Sequence, residues 1–316
     1  DCLLSRGLGD VYKRQPYDAS EVVAARMAEL QPDALMVRQG RIDASVIGAS
    51  SRLKVIVKHG VGVDNVDLEA AAALDIPVLR SLGSNALAVA EHAISLMLAL
   101  LKQFPALDTA VKGGQWPKPS FIGRDIAGAR LGLIGFGAIG RETARLAVAL
   151  GMDVAVYDPH AAGEIAAAGL AVADDVEALV SDVDIVSLHC PLTRETRNIV
   201  DAGLIARMGP QTLIVNTARG GLIDEAALAA ALADGRIAGA GLDSFAAEPP
   251  SPDGPLWAAP NLIVTPHVGG VTKGSAITMA ETAARHIISV LDGNPPDARS
   301  LAPVSYTHLR AHETRG

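Results

Sequence analysis

The stretch LGLIGFGAIG at residues 131–140 decides the fold, because an apolar run leads directly into three glycines spaced as G-x-G-x-x-G. A helical pattern follows over residues 141–150. A strand, a tight turn and the amino end of a helix in this order direct backbone amides and the helix dipole at one point, which suits a pyrophosphate. The segment predicts the first βα unit of a Rossmann sheet, with dinucleotide contacts from Gly135, Gly137, Ala138, Ile139 and Gly140.

An acidic residue ends the next apolar run. Asp158 follows residues 154–157 and is itself followed by Pro159 and His160, with no arginine adjacent. A carboxylate at this position can accept a hydrogen bond from the ribose 2′-hydroxyl and repels a 2′-phosphate. The sequence therefore predicts NAD as the cofactor rather than NADP.

Apolar strand-like runs recur on both sides of this unit and alternate with helical patterns. In one of these patterns, over residues 224–233, Asp224 is placed to cap the start and Gly235 to end it. Alternation of this kind predicts parallel β-α units. The predicted strands are 34–37, 53–57 and 76–79 upstream, and 131–134, 154–157, 185–188, 213–215, 238–242 and 262–264 from the glycine segment onward.

These patterns predict an α/β protein with two doubly wound parallel-sheet domains. A Rossmann NAD-binding domain is expected at residues 98–270, and a smaller flavodoxin-like substrate domain at residues 16–97 together with 271–303. The helical patterns at 86–101 and 275–291 are expected to join the two domains. A length of 316 residues with 49% hydrophobic residues is enough for two cores of this size.

The two ends of the chain differ from the rest. Residues 1–15 show neither helical nor strand periodicity, and residues 304–316 resemble translated sequencing-adaptor sequence. We predict that both are non-native tails. One strand of the smaller sheet is then expected to be missing, and the sequence leaves open whether the natural protein continues into a regulatory domain.

Charge and cysteine content limit the classes of partner. The net charge is −8 and the pI about 5.5, without a block of basic residues, which argues against nucleic acid and anionic membrane surfaces. The apolar pattern at 86–101 carries Glu91 and His92 and falls short of a membrane span, so a buried helix is predicted. Two cysteines suit a reducing compartment, which favours the cytoplasm. A small soluble molecule is the expected partner.

Four chemically useful side chains directly follow predicted strands. His189 follows 185–188, Arg219 follows 213–215, Asp243 ends 238–242, and His267 follows 262–264. The carboxyl ends of parallel strands lie at one edge of an open sheet, and ligands bind at that edge. These four residues are therefore predicted to share a crevice with the glycine turn.

From about residue 16 to residue 303 the sequence resembles the D-isomer-specific 2-hydroxyacid dehydrogenase family, which includes phosphoglycerate dehydrogenases and glyoxylate/hydroxypyruvate reductases. The resemblance rests on several short motifs in addition to the glycine turn. They are GVGVDNVD at 60–67, VAEH at 89–92, HCPLT at 189–193, NTARG at 216–220, GLDSF at 241–245, EPP at 248–250 and PHVGG at 266–270.

The resemblance implies a catalytic triad of Arg219, Glu248 and His267. His267 would be the general acid that protonates the carbonyl oxygen of a short 2-oxo acid while NADH delivers hydride, and the base in the reverse direction. Glu248 would hold the imidazole by a hydrogen bond. Arg219 would bind the substrate carboxylate and the 2-oxo oxygen with its two-pronged guanidinium group.

The resemblance also implies binding residues. The backbone of Val61 and Gly62 would meet the substrate carboxylate, and Asp243 the nicotinamide carboxamide. His189 is expected to shape the cofactor wall, and no metal site is expected. Besides the glycine turn, the implied cofactor contacts are Asp158, His189, Cys190, Pro191, Thr217, Ala218, Asp243, His267, Gly269 and Gly270.

Several points stay open at this level. His92 and His286 are expected to be packing or surface residues, and a solvated surface role is favoured for Lys58 and His59 over binding of a substrate phosphate or sulfonate. A homodimer is expected through the helix at 86–101 and its neighbours. The alternatives are a formate dehydrogenase, which lacks a carboxylate partner for its histidine, a non-catalytic NAD-sensing regulator, and an inert fragment. The identity of the 2-oxo acid is open.

Overall fold

The computed structural model describes residues 2–6, 10–14 and 19–302, and the predicted tail at 304–316 lies outside them. The chain forms two compact units, Asp1–Asn85 with Lys273–Gly316, and Ala86–Thr272. The domain boundary predicted at 97/98 falls inside a continuous helix, Ala86–Leu101, and the second unit keeps this helix whole.

The first unit contains a five-stranded sheet with the order β2-β1-β3-β4-β5. The strands β3, β4 and β5 are parallel, in agreement with the predicted β-α units. This order is the one found in flavodoxin-like sheets, but β1 pairs antiparallel with both β2 and β3, so the sheet is mixed. The strands are β1 Cys2–Arg6, β2 Asp10–Arg14, β3 Ala34–Val37, β4 Val55–Lys58 and β5 Val78–Arg80.

Residues 1–15 show no strand periodicity, yet β1 and β2 form a hairpin on the edge of β3. The expectation that the smaller sheet lacks a strand at this place is therefore wrong. The edge of a sheet presents unpaired backbone donors and acceptors, so an extended segment can pair there whatever its side-chain pattern. Side-chain periodicity therefore gave no signal for this hairpin. The origin of the segment stays a prediction.

Helices cover both faces of the small sheet. Leu35 and Val37 pack into one core and their neighbours Ala34 and Met36 into another, as alternation along a strand requires. The last helix contributes Ala283 to the second of these cores. The helices of this unit are α1 Ser20–Leu30, α2 Ala44–Ile47, α3 Leu68–Ala73 and α11 Lys273–Leu291.

The second unit is built on a seven-stranded parallel sheet with the order β12-β11-β10-β9-β6-β7-β8. The order reverses between β6 and β9, as in the Rossmann fold, which confirms the predicted fold class. The strand β8 was missed because two residues are too short to show periodicity. The strands are β6 Arg130–Ile134, β7 Asp153–Tyr157, β8 Ala171–Val172, β9 Ile185–Leu188, β10 Leu213–Asn216, β11 Gly239–Leu242 and β12 Leu262–Val264.

Three of the seven α-helices described in the second unit begin at an aspartate whose side chain caps the helix. Asp224 accepts hydrogen bonds from the amides of Ala226 and Ala227, as predicted, and Asp175 and Asp201 cap two shorter helices in the same way. The helices are α4 Ala86–Leu101, α5 Phe104–Lys112, α6 Ala138–Ala149, α7 Ala162–Ala167, α8 Val176–Ser181, α9 Ala202–Ile205 and α10 Glu225–Ala233, with 3-10 turns at Gly220–Leu222 and Pro255–Ala258.

Each face of the large sheet carries its own core. Along β10, Leu213 and Val215 pack on one face with α4 and α6, and Ile214 packs on the other with α8 and α10. Among the described residues, no single helix is long and apolar enough to cross a membrane, although the bent pair α4 and α5 passes that test together by length and composition. Ten of the sixteen residues of α4 are buried, as predicted for a buried helix, and the stretch from Ala93 to Leu101 contributes to a core of the second unit.

Candidate active site

Six parallel strands of the second unit end in one row. Backbone pairing runs from Tyr157 through Ile134, Leu188, Asn216 and Leu242 to Val264, which are the last residues of β7, β6, β9, β10, β11 and β12. The residues that come next are therefore level with one another at the carboxyl edge. They are Asp158, Gly135, His189, Thr217, Asp243 and Thr265.

The glycine turn packs too closely for side chains at two of its three glycines. A Cβ on Gly135 would lie 2.5 Å from the backbone nitrogen of Cys190, and one on Gly140 would lie 2.3 Å from the carbonyl oxygen of Gly135. A Cβ on Gly137 would meet nothing within 4 Å. Gly137 is also the N-cap of α6, and no side chain in the described chain caps that end. The open space and the uncapped amides fit a bound pyrophosphate.

Asp158 is tied to the glycine turn. Its Oδ2 accepts a hydrogen bond of 2.8 Å from the amide of Phe136, and its Oδ1 accepts one of 2.9 Å from the amide of His160. Each carboxylate oxygen has two acceptor sites, so one bond to each leaves capacity for a ribose hydroxyl. The structure thus fixes this carboxylate beside the turn where the sequence predicts it.

The loop after β9 forms the other side of the turn. His189 Nε2 lies 3.0 Å from Ser187 Oγ, and among the described residues His189 Nδ1 is enclosed without a partner. Burial of the ring lowers the pKa of His189 to about 4, so it is neutral at physiological pH. Burial likewise raises the pKa of the Cys190 thiol to about 11. At physiological pH neither side chain therefore carries a charge, and the contact of both residues with the cofactor stays a prediction.

The substitution His189→Gln is expected to make the free energy of unfolding depend less on pH below about pH 6.5. Between about pH 6.5 and about pH 4 the unfolded chain protonates this histidine and the folded chain does not. The free energy of unfolding therefore falls as the pH drops through that window, by up to about 3 kcal/mol from this residue, and is unaffected by it above the window. Urea unfolding at several pH values measures the slope. Equal slopes for the wild type and His189→Gln, with exposed His160→Gln as control, would contradict the assignment.

The loop that carries Arg219 is held by hydrogen bonds to the side chain of Asn216. Asn216, which is buried, donates from Nδ2 to the carbonyl of Arg219 at 2.9 Å and accepts from the amide of Ala218 at 3.0 Å. Arg219 Nη1 donates to the carbonyl of Ala218 at 2.8 Å. Sequence reasoning did not identify Asn216 as a loop anchor, although an asparagine that ends a strand before a turn is a known signal for such bonds.

The Arg219 loop packs directly on the segment that leads to Glu248. A Cβ on Gly220 would lie 1.8 Å from the backbone carbon of Phe245, so only glycine fits. Three residues further on, Glu248 Oε1 accepts a hydrogen bond of 3.1 Å from the amide of Phe245. The backbones of the two loops are thus in close contact at Gly220, and Glu248 is bonded to the second loop.

His267 and Glu248 form a hydrogen-bonded pair, as predicted. The distance between His267 Nδ1 and Glu248 Oε2 is 2.7 Å, and both side chains are partly exposed. Because a carboxylate can only accept, Nδ1 carries the proton of this bond, which leaves Nε2 as the nitrogen able to exchange a proton with a ligand. The pair therefore has the arrangement of an oriented acid–base catalyst.

Asp243 is engaged differently from the expectation. Its buried carboxylate accepts hydrogen bonds from the loop that contains His267, including 2.7 Å from the amide of Gly269. Thr265 also bonds to this carboxylate and to His92, which sequence reasoning left as a packing residue. No short-range pattern links residues 92 and 265. The contact of Asp243 with nicotinamide stays a prediction.

The loop at Val61 and Gly62 follows β4 in the first unit, and both residues are half-buried. Just before it, Lys58 Nζ donates to the carbonyl of Arg38 at 2.8 Å and to Asn65 Oδ1 at 2.7 Å. His59 Nε2 lies 3.2 Å from the carbonyl of Ala276, and burial lowers the pKa of His59. The expectation of a solvated surface role for these two residues is wrong, because both are half-buried and bonded within the unit.

The second unit thus brings together a phosphate cradle, a carboxylate beside it, a guanidinium group and an oriented imidazole. Among the described residues, no group of three or more histidine, cysteine, aspartate or glutamate side chains is placed to hold a metal ion. The arrangement can bind a dinucleotide and an anion and can exchange one proton through His267.

Comparison with known proteins gives matches of three kinds. A family model described as D-isomer specific 2-hydroxyacid dehydrogenase, NAD binding domain, matches residues 94–269. The D-3-phosphoglycerate dehydrogenase of Archaeoglobus fulgidus is 39% identical over 264 residues, which is 83% of this chain and 50% of that protein. The chain spans about half the length of the curated relatives it matches.

Solved structures match over most of the chain. The TT0316 protein from Thermus thermophilus has a TM-score of 0.80 and 34% identity, covering 90% of both chains. A glyoxylate reductase from Paecilomyes thermophila has a TM-score of 0.80 and 30% identity, covering 90% of this chain and 89% of that chain. The likeness thus includes both units.

Proposed function

Because the chain belongs to the family of D-isomer specific 2-hydroxyacid dehydrogenases, we propose that it interconverts a short 2-oxo acid and the corresponding D-2-hydroxy acid with NAD. The observation that carries this proposal is the 2.7 Å hydrogen bond between Glu248 and His267. His267 lies in the loop after β12 and Arg219 in the loop after β10, and these two strands end at the same edge of the sheet. An imidazole oriented by a carboxylate, at the same sheet edge as a guanidinium group, suits proton transfer to the oxygen of an anionic carbonyl substrate.

The residues of the chain then have separate tasks. His267 gives the proton from Nε2 to the carbonyl oxygen during reduction, while Glu248 holds the ring through its bond to Nδ1. Arg219 binds the substrate carboxylate and the 2-oxo oxygen, and the backbone amides of Val61 and Gly62 add donors for the carboxylate. The bound cofactor supplies the hydride.

The cofactor is held by the row of strand ends. The amides at the start of α6 and the open position at Gly137 support binding of a pyrophosphate there, and Asp158 is placed to accept from a ribose hydroxyl. The remaining predicted contacts come from the loops after β9, β10, β11 and β12. The carboxylate of Asp158 favours NADH over NADPH, since it repels a 2′-phosphate.

The proposal is tested by NADH consumption with the purified chain. The panel is glyoxylate, hydroxypyruvate, phosphohydroxypyruvate and a sulfonated analogue, with NADPH in parallel. We expect turnover with at least one acid and a higher kcat/KM with NADH than with NADPH. Binding of NADH without turnover on any acid would overturn the proposal in favour of the NAD-sensing regulator, and loss of a cooperative melt in circular dichroism would indicate the inert fragment.

We also propose that the chain forms a homodimer. The expected contact region is α4 and its neighbours, but ten of the sixteen residues of α4 are already buried within the chain. Larger apolar side chains are exposed on α5 and after it, at Phe104, Trp116 and Ile122. Exposed apolar surface of this kind is typical of protein interfaces. Light scattering measures the molar mass in solution. The mass of a dimer is expected for the wild type and the mass of a monomer for Ile122→Lys.

The cysteine content bears on the compartment. Two cysteines in 316 residues support a reducing compartment, and we propose that the enzyme is cytoplasmic.

A further inference from the structure

A buried carboxylate clamps the loop of His267 from both sides. Asp243 Oδ1 accepts hydrogen bonds from Thr265 Oγ1 at 2.6 Å and from the amide of Val268 at 2.9 Å. Its Oδ2 accepts from the amide of Gly269 at 2.7 Å. The side chain of Asp243 is 2% exposed, so these bonds are shielded from water. The clamp therefore fixes the residues before and after His267 to the end of β11.

The loop needs such a clamp, because the backbone of His267 is strained. Its φ is +55°, in the left-handed region that non-glycine residues adopt at a cost of about 1 kcal/mol or more. The packing around the clamp is also tight. A Cβ on Gly269 would lie 2.8 Å from Asp243 Oδ2 and 3.3 Å from His92 Cδ2. The strained conformation persists only while the surrounding contacts hold it.

His92 on α4 completes the clamp from another element. Its Nε2 lies 2.9 Å from Thr265 Oγ1 and 3.6 Å from Asp243 Oδ1. The single hydroxyl proton of Thr265 goes to the carboxylate, which can only accept, so the same hydroxyl accepts from His92. His92 Nε2 must therefore carry a hydrogen. The bonds run in one direction, from His92 to Thr265 to Asp243.

We propose that His92 and Thr265 are positioning residues that hold His267 in its reactive conformation through the Asp243 clamp. This role rests on the function proposed above, and it assigns a task to His92, which sequence reasoning had left with packing. Neither side chain is placed at the reacting atoms. They act on the position of the His267 imidazole, and a displacement of a catalytic group by about 1 Å lowers the rate roughly 100-fold.

The activity test is a double-mutant cycle. His92→Leu and Thr265→Val each remove one link, and each is expected to lower kcat about 10- to 100-fold while leaving the KM for NADH within about twofold. The double variant is expected to be no slower than the slower single variant, because both act through one chain of bonds. His92→Gln keeps an N–H donor and should recover most of kcat, and exposed Ser95→Ala on the same helix is the matched control.

A second measurement does not depend on turnover. Hydrogen exchange of the Val268 and Gly269 amides is expected to be roughly tenfold faster in His92→Leu and in Thr265→Val than in the wild type, and unchanged in Ser95→Ala. Failure of the proposed function would appear as an inactive wild type with the exchange pattern intact. Unchanged exchange in either variant, or losses of kcat that multiply in the double variant, would overturn the positioning role. If His92→Leu does not fold, Thr265→Val carries the same comparison, with His92→Gln as the variant expected to keep the exchange rates of the wild type.

Discussion

Replacing His267 by alanine is expected to lower kcat for the 2-oxo acid by at least about 1000-fold, while the affinity for NADH stays within about twofold. The variant loses the imidazole that Glu248 orients through the 2.7 Å bond, and with it the group that gives a proton to the developing alkoxide. The cofactor cradle at the start of α6 is untouched. Steady-state turnover and fluorescence titration with NADH measure the two quantities separately.

Two further variants test whether the loss of kcat in His267→Ala comes from the missing acid–base group. Glu248→Gln removes the charge and replaces one of the two acceptor oxygens by an NH2 group that can only donate, so either the bond to His267 Nδ1 or the bond to the amide of Phe245 is lost. An intermediate loss of about 10- to 100-fold is expected. His286→Ala on α11 removes an imidazole from the first unit and should leave kcat unchanged. Near-normal turnover of His267→Ala would mean that another group supplies the proton, and the proposed role of His267 would be wrong.

The edge that carries these residues could be predicted because its signals are local. Apolar runs show the strands, and the carboxyl ends of parallel strands meet at one edge, so the positions of Arg219 and His267 after their strands place them together. The bounds predicted for the helix Ala86–Leu101 are confirmed to the residue, because its apolar stretch is long and contains only three polar residues, Glu91, His92 and Ser95. The family resemblance added the roles, which neither periodicity nor spacing supplies.

The parts that could not be predicted depend on contacts between distant residues or on backbone pairing alone. The bond from His92 to Thr265 joins two residues 173 positions apart, and nothing near either residue indicates it. The strand β8 is two residues long, and the hairpin of β1 and β2 pairs on a sheet edge without a side-chain pattern. A surface cation is the expectation for Lys58, but it bonds to the carbonyl of Arg38, 20 positions earlier, and to the side chain of Asn65, seven positions later.

The substitution Gly220→Ala is expected to damage stability and catalysis together. The new Cβ would lie 1.8 Å from the backbone carbon of Phe245 and 2.2 Å from the amide nitrogen of Ala246. These are backbone atoms and cannot rotate away, so one of the two loops has to move, at a cost of about 3 kcal/mol or more. Arg219 is on the first loop and Glu248 is bonded to the second, so the movement also separates the anion-binding group from the acid–base pair.

Gly137→Ala is the matched glycine variant, because a Cβ at that position meets nothing within 4 Å and its φ is −71°. Its free energy of unfolding should equal that of the wild type, while its KM for NADH rises, since the methyl group enters the space that we assign to the pyrophosphate. Urea unfolding and steady-state kinetics on both variants give the comparison. Gly220→Ala with wild-type stability and kcat would show that the two loops can part without cost. Since the contact between them is what sets Arg219 relative to Glu248, the geometry proposed for proton transfer would then have no structural basis.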